Sequence, residues 1–238
     1  MCHGAAVRSF PSPTRDEPFE GLVHGFRFGD PAATNHIAVL PDIYGCNPFY
    51  RGLSERFAQR GARVSLVDPF YGLGDLPEVT REAAFARRHK VPDKKFIEQF
   101  EQFCVVERVT GVIGFCLGGL YVFELARRDL PVALVGLYGF PQGMPNADPL
   151  PVPFDYLAHV SRPFTMLMGA QDISVGPDIV ARLSAISPSA PAMDLTVYEN
   201  AGHGFLPLID SEDSCERDVA VDALRRIDAL LLRSTVER

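Results

Sequence analysis

Three residues of this chain have the types, order and local settings that nucleophilic catalysis requires: Cys116, Asp172 and His203. Cys116 lies in Gly111-Val112-Ile113-Gly114-Phe115-Cys116-Leu117-Gly118-Gly119-Leu120, which reads as strand, G-x-C-x-G-G, helix. This is the nucleophile-elbow pattern, with cysteine where serine is commoner. An elbow holds its central residue in a strained backbone conformation that lifts the side chain above the sheet. Strand and helix then run so close that the positions two before and two after the nucleophile hardly tolerate a Cβ, and Gly114 and Gly118 stand there. A helix starting at Leu117 aims its unpaired N–H groups and positive end at the sulfur, which favours the reactive thiolate. The N–H of Leu117 is placed to join an oxyanion hole. The competing account is a tight strand-to-helix turn around a structural cysteine. A nucleotide-binding loop is not indicated, because the segment is not G-x-G-x-x-G and no Lys-Ser/Thr pair follows.

An elbow predicts an acid after a later strand and a histidine in a loop near the C-terminus, in that order. Phe164-Thr165-Met166-Leu167-Met168-Gly169-Ala170-Gln171-Asp172 reads as strand, glycine turn, acid. Val197-Tyr198-Glu199-Asn200-Ala201-Gly202-His203-Gly204-Phe205 reads as strand, turn and a histidine between two glycines. His203 would take a proton from the thiol, or from the water that opens a thioester, and Asp172 would hold the imidazole in the right tautomer. Taken singly, Asp172 could be a loop cap and His203 a surface histidine; it is their joint order that argues for a triad. His3, His24, His36, His89 and His159 lack the strand-then-loop setting.

Such a set needs a scaffold that brings strand ends together. Short apolar runs at His36–Leu40, Ala62–Val67, Thr110–Phe115, Val132–Tyr138, Phe164–Met168 and Leu195–Tyr198 read as buried parallel strands. Residues 22–28 partly alternate and read as an edge strand. Helices are expected from Asn47-Pro48 to Gly61, over Lys94–Val106, over Leu117–Arg128, around Ile179–Ala185, and from about Asp213 to Arg233. The alternation predicts an α/β fold: one mostly parallel sheet with helices on both faces, and functional groups at the carboxyl ends of the strands. Residues 1–20, polar and proline-bearing, read as an N-terminal arm on a single domain spanning 1–238. Residues 70–93 are broken by Gly and Pro and give no clear pattern, as a lid over the active face would.

The chain has 238 residues, 47% hydrophobic and 22% charged, which suits one α/β domain with a sizeable core. The net charge of −7, with no basic run, argues against a nucleic-acid partner. No apolar run is long enough for a membrane span, and Met1-Cys2-His3-Gly4-Ala5 does not read as a secretory signal, so a cytoplasmic protein without a membrane partner is expected. The five cysteines (Cys2, Cys46, Cys104, Cys116, Cys215) are irregularly spaced and form no C-x-x-C pair, so neither a zinc ribbon nor a dithiol redox site is indicated.

With these residues in view, the chain resembles the dienelactone hydrolase family from about Leu22 to the last helix. The shared segments are Pro41-Asp42-Ile43-Tyr44-Gly45-Cys46-Asn47, Asp68-Pro69-Phe70-Tyr71, Gly114-Phe115-Cys116-Leu117-Gly118-Gly119, Tyr138-Gly139, Gly169-Ala170-Gln171-Asp172 and Ala201-Gly202-His203-Gly204-Phe205. The resemblance implies an α/β-hydrolase fold, Cys116, Asp172 and His203 as triad, and the N–H of Ile43 as second oxyanion donor. It implies hydrolysis of a small-molecule ester or lactone through a thioester, with no metal or cofactor, by a monomer or homodimer.

Two features depart from the family pattern. Asp42 stands where a glutamate is usual, next to the nucleophile's sulfur, and it is shorter by about 1.5 Å. Asp42 is thus a candidate modulator of the thiol whose reach is in question, the alternative being a loop cap. The family's two carboxylate-gripping arginines are also missing: Tyr71-Gly72-Leu73 offers none after the tyrosine, and Pro207 stands four after His203. Arg81, Arg87 and Arg88 are expected to be solvated rather than substitutes. A less acidic ester or lactone, in a pocket with Tyr44, Phe70, Phe140 and Phe205, is therefore expected. An acyltransferase or cyclase using the same cysteine, or a non-catalytic thiol sensor on the fold, are the alternatives.

Overall fold

The computed structural model describes residues 5–13, 16–128 and 130–232. Eight strands form one sheet: β1 (Glu17–Phe19), β2 (Gly25–Phe28), β3 (His36–Leu40), β4 (Arg63–Val67), β5 (Gly111–Phe115), β6 (Ala133–Leu137), β7 (Phe164–Gly169) and β8 (Met193–Tyr198). Their order is β1-β2-β4-β3-β5-β6-β7-β8. β1 and β2 are antiparallel; every pairing from β4–β3 onward is parallel. Six α-helices accompany them: α1 (Pro48–Gln59), α2 (Arg81–Arg88), α3 (Asp93–Val106), α4 (Leu117–Ala126), α5 (Pro177–Ile186) and α6 (Ser214–Leu231).

β3 and β5 are buried along their whole length, as their unbroken apolar runs require of central parallel strands. Gly111 and Gly114, three apart on β5, point to opposite faces. A Cβ on Gly111 would lie 2.7 Å from Leu231 of α6, and one on Gly114 would lie 2.1 Å from the Gly118 carbonyl oxygen of α4. Helices therefore cover both faces, as the strand–helix alternation predicts.

Helix starts follow local chemistry. The Asn47 side chain accepts the N–H groups of Phe49 (3.0 Å) and Tyr50 (3.4 Å), with Pro48 in the first turn, and Asp213 accepts that of Cys215 (2.7 Å). Arg127 and Arg128, expected inside the fourth helix, lie just past its end and both pair with the buried Glu124.

Three expectations need correction. The edge strand is not 22–28: β2 sits inside the sheet, and the edge is β1, which pairs Pro18 with Phe26. The arm is more firmly packed than its polarity suggests, because Phe10 is buried with its ring 5.4 Å from that of Phe49. Cys2, with the rest of 1–4, and Arg233 lie outside the described residues. Within 70–93 the chain forms α2, capped by the Thr80 hydroxyl accepting the Ala83 N–H at 3.2 Å. Arg88 is not solvated: it is fully buried and ion-paired with Asp93 at 2.5 Å, and the Tyr121 hydroxyl donates to the same carboxylate at 2.7 Å.

Candidate active site

Cys116 follows β5 and immediately precedes α4, with φ of 54° and ψ of −103°. For a residue with a Cβ this conformation is uncommon and costs about 1–2 kcal/mol. The surrounding backbone holds it there. Its N–H donates to the Leu137 carbonyl at 3.0 Å, its carbonyl accepts from Leu120 at 3.1 Å, and the Gly118 N–H reaches across to the Pro41 carbonyl at 3.2 Å. A Cβ on Gly118 would lie 2.2 Å from the Leu40 carbonyl oxygen, so only glycine allows α4 to start this close to β3. Leu117 opens α4, and its N–H is among those the helix itself leaves without an acceptor.

Asp172 and His203 come together from the loops after β7 and β8. The Nδ1 atom of His203 lies 2.8 Å from Oδ2 of Asp172. The other carboxylate oxygen accepts two backbone N–H groups of its own loop, Ser174 at 2.8 Å and Val175 at 2.9 Å. Asp172 is fully buried, and the His203 side chain is 3% exposed. The two loops are tied to one another, since Gln171 donates its N–H to the Ala201 carbonyl at 2.9 Å.

The imidazole is bounded by two rings. Tyr138 lies 5.0 Å away between centroids and Phe140 lies 5.9 Å away. Tyr138 also has positive φ (39°), directly after β6. Its ring packs on Phe205 at 5.2 Å and on Phe115, the residue before Cys116, at 6.1 Å. Tyr138 is thus the common neighbour of the elbow and the histidine, a placement that its sequence neighbours do not reveal. Of the proposed apolar pocket, Phe70, Phe140 and Phe205 are buried and Tyr44 is half-buried.

Asp42 and Ile43 follow β3 and are both buried. Oδ1 of Asp42 accepts the Tyr44 N–H at 2.8 Å, so at least one oxygen of this carboxylate caps its own loop. Beside it, burial pushes the Cys46 thiol well up, with the Asp68 and Asp42 carboxylates adding to the effect. Burial likewise raises Asp68. Among the described residues none of Cys46, Cys104, Cys116 and Cys215 is in a disulfide.

The sheet order and the sharp strand-to-helix elbow define an α/β-hydrolase. A crystal structure from Klebsiella pneumoniae superposes with a TM-score of 0.74 over 89% of this chain and 93% of that one, at 21% identity. The model of the dienelactone hydrolase family matches residues 23–233. The chain is 44% identical over 226 residues to carboxymethylenebutenolidase 2 of Cupriavidus pinatubonensis, covering 94% of this chain and 96% of that one. It is 30% identical to the carboxymethylenebutenolidase of Rhodococcus opacus, covering 83% and 80%. The protein belongs to the dienelactone hydrolase family and is a hydrolase of carboxylic esters or lactones.

Proposed function

We propose that the protein opens a lactone or small ester through a thioester on Cys116. The observation that carries this reading is the hydrogen bond between His203 and the buried Asp172, in loops that leave the carboxyl ends of strands parallel to the one that ends in the elbow. Sγ of Cys116 attacks the carbonyl carbon and gives up its proton to His203. The N–H groups of Leu117 and Ile43 receive the oxyanion. Collapse breaks the carbon–oxygen bond, and His203 returns the proton to the departing alkoxide, which in a lactone stays in the same molecule. Water then attacks the thioester, its proton passes to His203, and the thiolate leaves. Asp172 keeps Nδ1 protonated, so that Nε2 is the basic atom.

Asp42 acts in this reading chiefly on the loop that carries Ile43, because Oδ1 is engaged with Tyr44. The names of the curated relatives favour a butenolide-type lactone. The neighbourhood of Arg87 favours one of low charge: Asp68, Asp75 and Asp42 all lie within electrostatic reach of that cation and already offset it.

The test compares wild type with Cys116→Ala on p-nitrophenyl acetate and on a lactone panel that includes a dienelactone. Turnover by wild type alone supports the thioester route, and the preferred lactone defines the pocket. Equal turnover by both proteins would exclude it.

A further inference from the structure

The two candidate oxyanion donors sit on different pieces of backbone. Leu117 is fixed at the head of α4. Ile43 lies in the irregular segment between β3 and α1, where no helix or strand ladder dictates the direction of its N–H. From the inside this segment is held by the Gly118-to-Pro41 hydrogen bond and by the Asp42 cap. From the outside it is held by Arg87. The guanidinium donates from Nη2 to the Ile43 carbonyl at 3.4 Å and from Nη1 to the Gly74 carbonyl at 3.5 Å, and lies 4.1 Å from the centroid of the Phe70 ring.

Arg87 is itself held by its neighbour in sequence. Arg88, fully buried, is clamped by Asp93 at the start of α3, and Asp93 is held in turn by Tyr121 of α4. A continuous path therefore runs from α4 through Tyr121, Asp93 and Arg88 to Arg87, and from Arg87 to the Ile43 carbonyl. One end of the path lies on the helix that Leu117 opens, and the other lies on the residue whose N–H is the second donor.

The geometry points to Arg87 as a positioning residue, which holds the Ile43–Tyr44 peptide from α2 and thereby fixes the Ile43 N–H relative to that of Leu117. This inference rests on the proposed use of Ile43 as an oxyanion donor. A role as a hook for a carboxylated substrate fits less well, because both terminal nitrogens of Arg87 already donate to backbone carbonyls. Oxyanion stabilisation is felt in the transition state and little in the ground state, so loss of the brace acts on kcat rather than on KM.

The experiment measures kcat and KM on the neutral ester p-nitrophenyl acetate for wild type, Arg87→Ala, Arg87→Gln, Arg81→Ala and Cys116→Ala. Arg81 is exposed on the same helix and serves as control. The expected result is a fall in kcat of about tenfold or more in both Arg87 variants, part of the roughly 10²–10³-fold that complete loss of an oxyanion donor costs. KM should stay near the wild-type value, Arg81→Ala should match wild type, and added methylguanidinium should restore part of kcat in Arg87→Ala. Arg87→Gln keeps most of the side-chain volume and decides the question should the alanine variant not fold. Unchanged kcat with an inactive Cys116→Ala would overturn this inference alone. A change confined to KM, and seen only with a carboxylated ester, would overturn it in favour of substrate-anion binding. An active Cys116→Ala would overturn the thioester reading together with this one.

Discussion

Asp172 divides its two oxygens between two tasks: Oδ2 meets Nδ1 of His203 at 2.8 Å, while Oδ1 accepts the N–H groups of Ser174 and Val175. The two backbone N–H groups demand an acceptor at Oδ1, and Oδ2 can accept from Nδ1 of His203 in the tautomer that carries its proton there.

Asp172→Asn follows directly. The amide oxygen satisfies the two loop N–H groups, which turns the amide NH2 toward His203. That NH2 needs an acceptor, so Nδ1 loses its proton, Nε2 gains it, and the imidazole becomes the wrong tautomer for the base role proposed for His203. Ester turnover should fall by about 10³–10⁴-fold, as in triads generally, with the fold retained by circular dichroism. A drop below tenfold would mean that the His203 tautomer does not limit the reaction.

Tyr138 allows a test of backbone strain beside the histidine. Truncation to Ala removes the ring from Phe115, Phe205 and His203 and should cost about 3–5 kcal/mol. Truncation to Gly removes the same contacts but relieves the positive φ. The glycine variant should therefore be more stable than the alanine variant by about 1 kcal/mol, the reverse of the usual order in regular structure. Urea unfolding of the two variants measures the difference, and an alanine variant as stable as the glycine one would show that no strain resides there.

Asp222 predicts an acid-side effect on stability. Hydrogen bonds from Arg225 and Arg226, helped by the Tyr198 hydroxyl and opposed by burial, lower its carboxyl from 3.8 to about 2. A lowered folded value means stability that is fully present above the ordinary value of 3.8 and is lost as pH falls through about 2. Solvent screening keeps the contribution below about 1 kcal/mol. The stability gap between wild type and Asp222→Asn should be constant at neutral pH and close in that acid window. A gap that persists at the acid end would assign the effect to packing.

The parts of this molecule that were legible in the sequence are those set by neighbours along the chain. The apolar runs of β3 and β5, the Asn47-Pro48 helix start and the glycines flanking Cys116 each carry a local signal, and all appear where expected. Asp172 and His203 were legible because each follows a recognisable strand and a glycine turn. What was not legible depends on partners distant in sequence. The exchange of β1 for β2 at the sheet edge turns on a three-residue pairing that has no periodicity of its own. The burial of Arg88 depends on Asp93 and Tyr121 arriving from two other helices. Tyr138 gives no composition cue to its positive φ, since a tyrosine with a Cβ is not a residue type that favours that conformation. Asp42 was recognised as a departure from the family pattern, and the bond to Tyr44 supports its alternative role as a loop cap.

The order of the three candidate catalytic residues along the sheet also bears on biosynthesis. The elbow needs only β3, β5 and β6 for its backbone hydrogen bonds, all of which precede the loops after β7 and β8 that deliver the acid and the base. During translation Cys116 is therefore made, and its turn becomes formable, while His203, the base proposed for it, is still unsynthesised. The nascent chain carries a thiol without its histidine until the far edge of the sheet docks. Recovery of ester turnover on refolding thus reports the docking of the loops after β7 and β8 as well as formation of the elbow.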